Sequence, residues 1–148
     1  MRGYLLDTNV VSELRKGDRG NRNVTAWYEA RDKRELYLSV VTLAELRRGI
    51  ALIRLRDPQQ SDALDRWCCA LQRGFSRAGH LLTLRPAEAA AWGELMAIRP
   101  LPILDAFLAA TAQTHNLTLV TRNEADFAGL AVTVENPFGD DKGRQKPS

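Results

Sequence analysis

Short apolar runs alternate with amphipathic stretches along almost the whole chain. Gly3 to Leu6 is an apolar run of strand length. Val10, Val11 and Leu14 then recur at helical spacing, which predicts a helix ending near Gly17. Lys16 to Asn23 is polar and contains glycine, so it reads as a loop. Val24 to Arg34 predicts a second amphipathic helix carrying Trp27 and Tyr28, and Glu35 to Val41 a second strand. Leu43, Leu46, Ile50 and Ile53 share one face of a helix reaching about Arg54, and Asp57-Pro58 breaks the chain. Ser61 to Ala78 is a long helix with Leu64, Trp67, Cys68 and Leu71 at core spacing. His80 to Leu84 is a third strand, and Pro86 suits the first turn of a helix reaching about Ile98. Pro100 and Pro102 bracket a break before a helix over Ile103 to Thr114. Strand signals follow over Asn116 to Thr121 and Ala131 to Val134.

Strands alternating with helices predict an α/β fold, a mostly parallel sheet covered by helices on both faces. In such sheets functional groups gather beyond the carboxyl ends of the strands. A chain of 148 residues makes one domain. It is expected over 1–138, with the polar stretch 139–148 as a disordered tail. No apolar run approaches the ~20 residues of a membrane span, and the N-terminus lacks a basic leader segment. Cys68 and Cys69 are adjacent, which suits neither a disulfide framework nor a metal site, so a reducing cytoplasm is expected.

Three acids interrupt this apolar pattern. Asp7 closes the run Tyr4-Leu5-Leu6, Glu45 follows Ser39-Val40-Val41-Thr42, and Asp105 is the only charge between Pro100 and His115. A charge in an apolar segment costs about 2–5 kcal/mol unless it is paired or binds a cation. Each acid also has a structural explanation to weigh. Asp7 suits a helix N-cap. Thr42-Leu43-Ala44-Glu45 matches a capping box, in which Glu45 would bond back to the Thr42 backbone. Asp105 falls in a first helical turn, where the helix dipole contributes at most ~2 kcal/mol, and no Lys or Arg lies within a turn of it. Three acids on separate elements point to one shared divalent cation, and all-oxygen donors select Mg²⁺ or Mn²⁺ over zinc. The polar stretch Thr121-Arg122-Asn123-Glu124-Ala125-Asp126 follows a strand, so Asn123 or Asp126 could complete that site or make an ordinary turn. His80 and His115 read as structural.

A carboxylate-held cation with no phosphate-binding glycine loop and no Ser-His-Asp set suits metal-assisted phosphodiester hydrolysis. Charge adds little. The net +3 is modest, although 17 arginines against 4 lysines favour phosphate recognition. A phosphohydrolase using an aspartyl phosphate would want two acids after the first strand, where this chain has Asp7-Thr8-Asn9. A receiver-type signalling domain would want a late lysine, and past residue 33 lysines occur only in the tail.

The four segments Tyr4–Val10, Ser39–Gly49, Leu104–Ala112 and Leu119–Phe127, in this order and spacing, resemble the PIN-domain ribonucleases, and among them the VapC-type toxins of toxin–antitoxin pairs. Glu45-Leu46-Arg47-Arg48-Gly49 looks most like the FitB-like branch. The resemblance implies a three-layer α/β/α fold with about five strands. It implies metal-dependent endoribonuclease chemistry, with Mg²⁺ or Mn²⁺ held by Asp7 and Asp105, and Glu45 beside or behind them. It further implies Thr8, Asn9 and Thr121 as supporting residues, Asn123 at the family's fourth acidic position, and Asp126 acting through water. A rim of Arg15, Lys16, Arg47, Arg48 and Arg122 is the expected RNA contact. The implied partners are an RNA substrate, a second copy of the chain as a homodimer, and a small antitoxin that blocks the acidic pocket, with no membrane involved. The alternative is a catalytically silent PIN-like module that binds RNA or protein.

Overall fold

The computed structural model describes residues 3–139. Five parallel strands form one sheet in the order β3-β2-β1-β4-β5: β1 (Tyr4–Leu6), β2 (Leu36–Ser39), β3 (Leu81–Leu82), β4 (Thr118–Val120) and β5 (Val134–Glu135). Six α-helices connect them: α1 (Thr8–Arg15), α2 (Arg22–Glu29), α3 (Val40–Arg54), α4 (Pro58–Ala78), α5 (Pro86–Ile98) and α6 (Ile103–His115). This is the expected parallel α/β fold. The last nine residues of the expected tail lie outside the described residues. No single helix among the described residues is long and apolar enough to cross a membrane.

Strand alternation divides the core in two. Tyr4 and Leu6 of β1, Leu36 and Leu38 of β2 and Val120 of β4 point to one face, against Val10, Val24, Leu46, Leu64 and Cys68 from α1 to α4. Leu5 and Leu119 point the other way, against Leu95 of α5 and the small residues Ala106, Ala109 and Ala110 of α6. Because successive side chains leave a strand on opposite faces, three-residue strands suffice to bind both helical layers. Tyr4 pairs with Leu36 on one side and Thr118 on the other, so β1 is the centre of the sheet. Gly3 permits this packing, since a Cβ there would lie 2.4 Å from a methyl carbon of Leu117.

The ends of several elements differ from expectation, and side-chain caps account for most of the differences. Asn21 caps α2 by accepting from Asn23 N at 2.8 Å and Val24 N at 3.2 Å, so that helix starts two residues early. It stops at Glu29, and a short 3-10 turn over Lys33–Glu35, capped by Asp32, leads into β2. Ser39 Oγ accepts from Val41 N at 2.9 Å, which turns Val40 and Val41 from strand into the first turn of α3. Thr42 is therefore inside the helix, and Thr42–Glu45 forms no capping box. Asp57 caps α4 through Gln60 N at 3.1 Å, with Pro58 as the first helical residue.

One buried acid escaped the pattern analysis. Glu88 in α5 has no exposed surface. It accepts from Arg85 N at 2.8 Å, pairs with the Arg85 guanidinium at 2.6 Å and takes the Thr114 hydroxyl, joining α5 to α6. The Arg85 charge and hydrogen bonds hold its carboxyl well below the ordinary range. A depressed carboxyl contributes stability above its unfolded pKa, near 4.3, and loses it as pH falls toward the folded value. Glu88→Gln is expected to cost ~1–3 kcal/mol near pH 7, lowering Tm by roughly 3–8 °C. The gap to the native chain should narrow progressively below about pH 4.3, as thermal melts from pH 7 to 3 would show.

Candidate functional site

The sheet fixes the first acid. Asp7 N donates to Val120 O at 2.9 Å, so the β1–β4 ladder runs on to Asp7 itself, immediately beyond the strand end. The chain moves from β1 through β2 to β3 on one side and returns to β4 and β5 on the other. The reversal point between β1 and β4 is where parallel sheets open a crevice. Asp7 stands at one lip and Thr121, which follows β4, at the other.

The Asp7 side chain is 4% exposed and is held from both sides. Its Oδ1 accepts from Thr8 N at 2.7 Å, and its Oδ2 accepts from Thr121 Oγ1 at 2.7 Å and Asn9 Nδ2 at 3.4 Å. Asn9 Nδ2 also donates to Thr121 Oγ1 at 3.3 Å, and Asn9 Oδ1 accepts from Arg122 N at 3.2 Å. Asp7 thus occupies the N-cap position of α1 while its carboxylate is locked to the neighbouring strand. Burial pushes its carboxyl above the usual range, against the hydrogen bonds from Thr121 and Thr8, and the charge on Asp126 pushes the same way.

Glu45 arrives from α3. Its Oε1 accepts a very short hydrogen bond from Thr8 Oγ1, and no hydrogen bond reaches its other oxygen among the described residues. The residue whose backbone orients Asp7 therefore orients Glu45 through its side chain. Thr42 is fully buried one turn before and donates weakly to Leu6 O at 3.4 Å, which seats α3 on β1.

Asp105 sits in the first turn of α6, half-buried, and accepts no hydrogen bond among the described residues. Its carboxyl is pushed up to about 6, first by burial and then by the charges of Asp7, Glu45 and Asp126. Four acids from α1, α3, α6 and the loop after β4 thus share one field. Asp126 itself is exposed, on a 3-10 turn over Glu124–Phe127. Asn123 N donates to Thr121 Oγ1 at 3.0 Å, but the Asn123 side chain is exposed and caps nothing.

None of the ion pairs among the described residues includes Asp7, Glu45, Asp105 or Asp126. Nor do three acidic, histidine or cysteine side chains among the described residues close on one point that would hold a metal ion. Asp7 and Asp105 are the carboxylates that could hold a cation directly, and two carboxylates suit a hard cation that keeps several waters, as Mg²⁺ does.

The basic rim is dispersed. Arg15, Lys16, Arg48 and Arg122 are exposed, with Lys16 paired to Glu13 at 3.1 Å and the Arg122 guanidinium 4.5 Å from the Phe138 ring centroid. Arg47 is turned toward α4, ion-paired to Asp65 and 3.3 Å from Cys69 Sγ, because α3 and α4 pack side by side there. It is no part of a rim around the acids. The histidines lie elsewhere: His80 Nδ1 bonds Leu36 O at 2.8 Å and stacks on Tyr37, and His115 is 3.5 Å from Glu88.

Comparison with known proteins gives one consistent answer. The PIN domain family matches residues 4–132. Toxin FitB from Neisseria gonorrhoeae is 33% identical over 141 residues, covering 92% of this chain and 99% of that one. VapC ribonuclease Y4jK from Sinorhizobium fredii is 32% identical over 142 residues, covering 90% and 96%. The crystal structure of FitAcB from Neisseria gonorrhoeae superposes with a TM-score of 0.79 at 31% identity, covering 92% of this chain and 99% of that chain.

The shared field has a consequence for stability. A carboxyl raised above its unfolded value costs stability at neutral pH, and the cost is relieved as pH falls through about 6 toward 3.8. In a chelating buffer at pH 7.5, Asp105→Asn is expected to raise Tm by roughly 2–5 °C. The native chain should narrow that gap progressively as pH is lowered from about 6 toward 4. Equal melting temperatures at pH 7.5 would mean that Asp105 feels no such field.

Proposed function

The chain belongs to the PIN-domain family, and from that premise we propose that it is a metal-dependent endoribonuclease acting as the toxin of a toxin–antitoxin pair. The observation that carries this reading is the placing at one sheet end of buried Asp7, Glu45 bonded to Thr8, and half-buried Asp105, which feels the charges of Asp7, Glu45 and Asp126, with none of the four in an ion pair among the described residues. Such a set costs stability in the bare protein and is compensated by a bound cation. A divalent ion held by Asp7 and Asp105 would supply positive charge to a phosphodiester oxygen and acidity to a water.

The remaining work falls to the chain. Thr8 N and Thr121 Oγ1 fix both oxygens of Asp7, so its carboxylate has one orientation toward the crevice. Thr8 Oγ1 fixes one oxygen of Glu45, leaving the other to orient an attacking water and to accept its proton. Asn9, tied to Asp7, Thr121 and Arg122 N, holds the β4 loop against α1 and keeps the two lips in register. Exposed Arg15 and Arg48 are cationic groups that could meet backbone phosphates.

The same surface supports the partner half of the reading. Beside Thr8 and Glu45 lies a pocket that reaches Ile53 and Trp67. A second pocket, of about 360 Å³, shares Arg15 and Trp67 with it and is lined by Tyr28, Leu71 and Phe75 of α2 and α4. A toxin-antitoxin complex from Klebsiella pneumoniae is similar to this chain at 26% identity with a TM-score of 0.63, and an apolar segment of a cognate antitoxin would suit the pockets beside the acids.

Purified free of partner, the native chain is expected to cleave RNA with Mg²⁺ or Mn²⁺ and not with EDTA, and Asp105→Asn to lose about a hundredfold or more. Cleavage that survives chelation would overturn the reading. A second outcome concerns the partner. Leu71→Asp, remote from the acids, should weaken binding of the antitoxin encoded beside the gene by at least about tenfold in calorimetry while leaving RNA cleavage intact.

A further inference from the structure

The carboxylates at the site arrive on separate elements, and something must hold the loop bearing Asp126 against the sheet. Its near end is fastened: Thr121 bonds Asp7, and Arg122 N bonds Asn9. Inside the loop, Asp126 N donates to Asn123 O at 3.1 Å, and Ala128 N to Ala125 O at 3.3 Å. The carbonyls of Asp126 and Ala128 accept from no backbone N–H among the described residues. Both are taken by one atom. Arg99 Nη2 donates to Asp126 O at 2.9 Å and to Ala128 O at 2.8 Å, from the C-cap position of α5.

Arg99 also occupies a particular place in the chain. It ends α5, and six residues later Asp105 opens the first turn of α6. One guanidinium therefore clamps the loop carrying Asp126 to the start of the connection that leads into α6 and Asp105. Arg99 itself appears in none of the ion pairs among the described residues, so its side chain is spent on these two carbonyls. The burden on Asp7 and Asp105 from the charge of Asp126 agrees with a loop held close.

We propose that Arg99 is a positioning residue for the nuclease site: by gripping the Asp126 and Ala128 carbonyls it sets the place of the Asp126 carboxylate beside Asp7 and Asp105, where it takes the role left open by Asn123. The proposal rests on the metal-dependent nuclease reading above and adds to it a residue that touches neither substrate nor cation. It makes Arg99 and Asp126 a single device. Losing either one removes the same contribution.

The test uses the full chain, a fluorogenic mixed-sequence oligoribonucleotide for kcat and KM, and Mn²⁺ alone for the shift in melting temperature. Arg99→Met and Asp126→Asn should each lower kcat about tenfold, with KM little changed. Each should also raise the Mn²⁺ concentration that gives half the thermal shift. Combined, they should be no worse than either alone, and Arg99→Lys, which keeps a terminal group able to reach two carbonyls, should recover part of the loss. Losses that multiply to about a hundredfold, or an Arg99→Met chain that matches the native one, would overturn the proposal. Should Arg99→Met fail to fold, Asp126→Asn decides, since the turn's hydrogen bonds use the Asp126 backbone only. Unchanged kcat and Mn²⁺ midpoint in that variant would overturn it as well. A native chain with neither cleavage nor a Mn²⁺ shift would instead remove the nuclease reading itself, and the role of Arg99 with it.

Discussion

A carboxylate 4% exposed at the centre of a parallel sheet is the constraint around which this molecule is arranged. Burying a charge costs about 2–5 kcal/mol unless hydrogen bonds and counter-charge replace the lost water. Asp7 gets its hydrogen bonds from the chain, from Thr8 N, from the Asn9 amide and from Thr121, the residue that follows the neighbouring strand. It gets no counter-charge from any ion pair among the described residues. The fold therefore carries an electrostatic deficit at one point. Glu45, Asp105 and Asp126 deepen it. A cation bound there would offset that cost.

The small residues of the site hold this deficit in place. Thr8 uses its backbone for Asp7 and its hydroxyl for Glu45. Thr121 spends its hydroxyl three ways: it donates to Asp7 and accepts from Asn9 and Asn123 N. With these bonds made, neither carboxylate has much rotamer freedom left, so little order remains to be imposed when substrate binds. The thermodynamic cost is carried by the rest of the protein, by the two-sided core and by tied acids such as Glu88 that join helices away from the crevice. The division is clear in the two buried carboxyls. Glu88 has its arginine and is stabilising, while Asp7 has none and is not.

Much of this was legible in the sequence, because the signals were local. The short apolar run Tyr4-Leu5-Leu6 and a charge at the next residue are enough to find a strand and the acid beyond it. Asp105 stood out because its surroundings are so apolar. What escaped were interactions between distant residues and competition between caps. Thr42 with Glu45 fits the capping-box pattern, yet Ser39 captured the helix start three residues earlier and freed Glu45 to reach Thr8. Arg47 looked like any rim arginine until α4 brought Asp65 beside it. Arg99 carried no signal at all, since the carbonyls it binds belong to residues 27 and 29 positions away.

These misses share a cause. A backbone carbonyl has no sequence signature, so a side chain that acts on backbone is invisible until the fold is known. Capping threonines and serines partly escape this limit, because their targets lie within four residues. An arginine at a helix end does not. In a crevice built on short strands, with four acids repelling each other, the loops that carry the acids need anchors outside the acids' own field. Backbone carbonyls at the end of a 3-10 turn provide such anchors, being unpaired by construction. A guanidinium that takes two of them fixes the loop and also brings a positive charge toward a region that lacks one, without neutralising the carboxylates that must remain available to a cation.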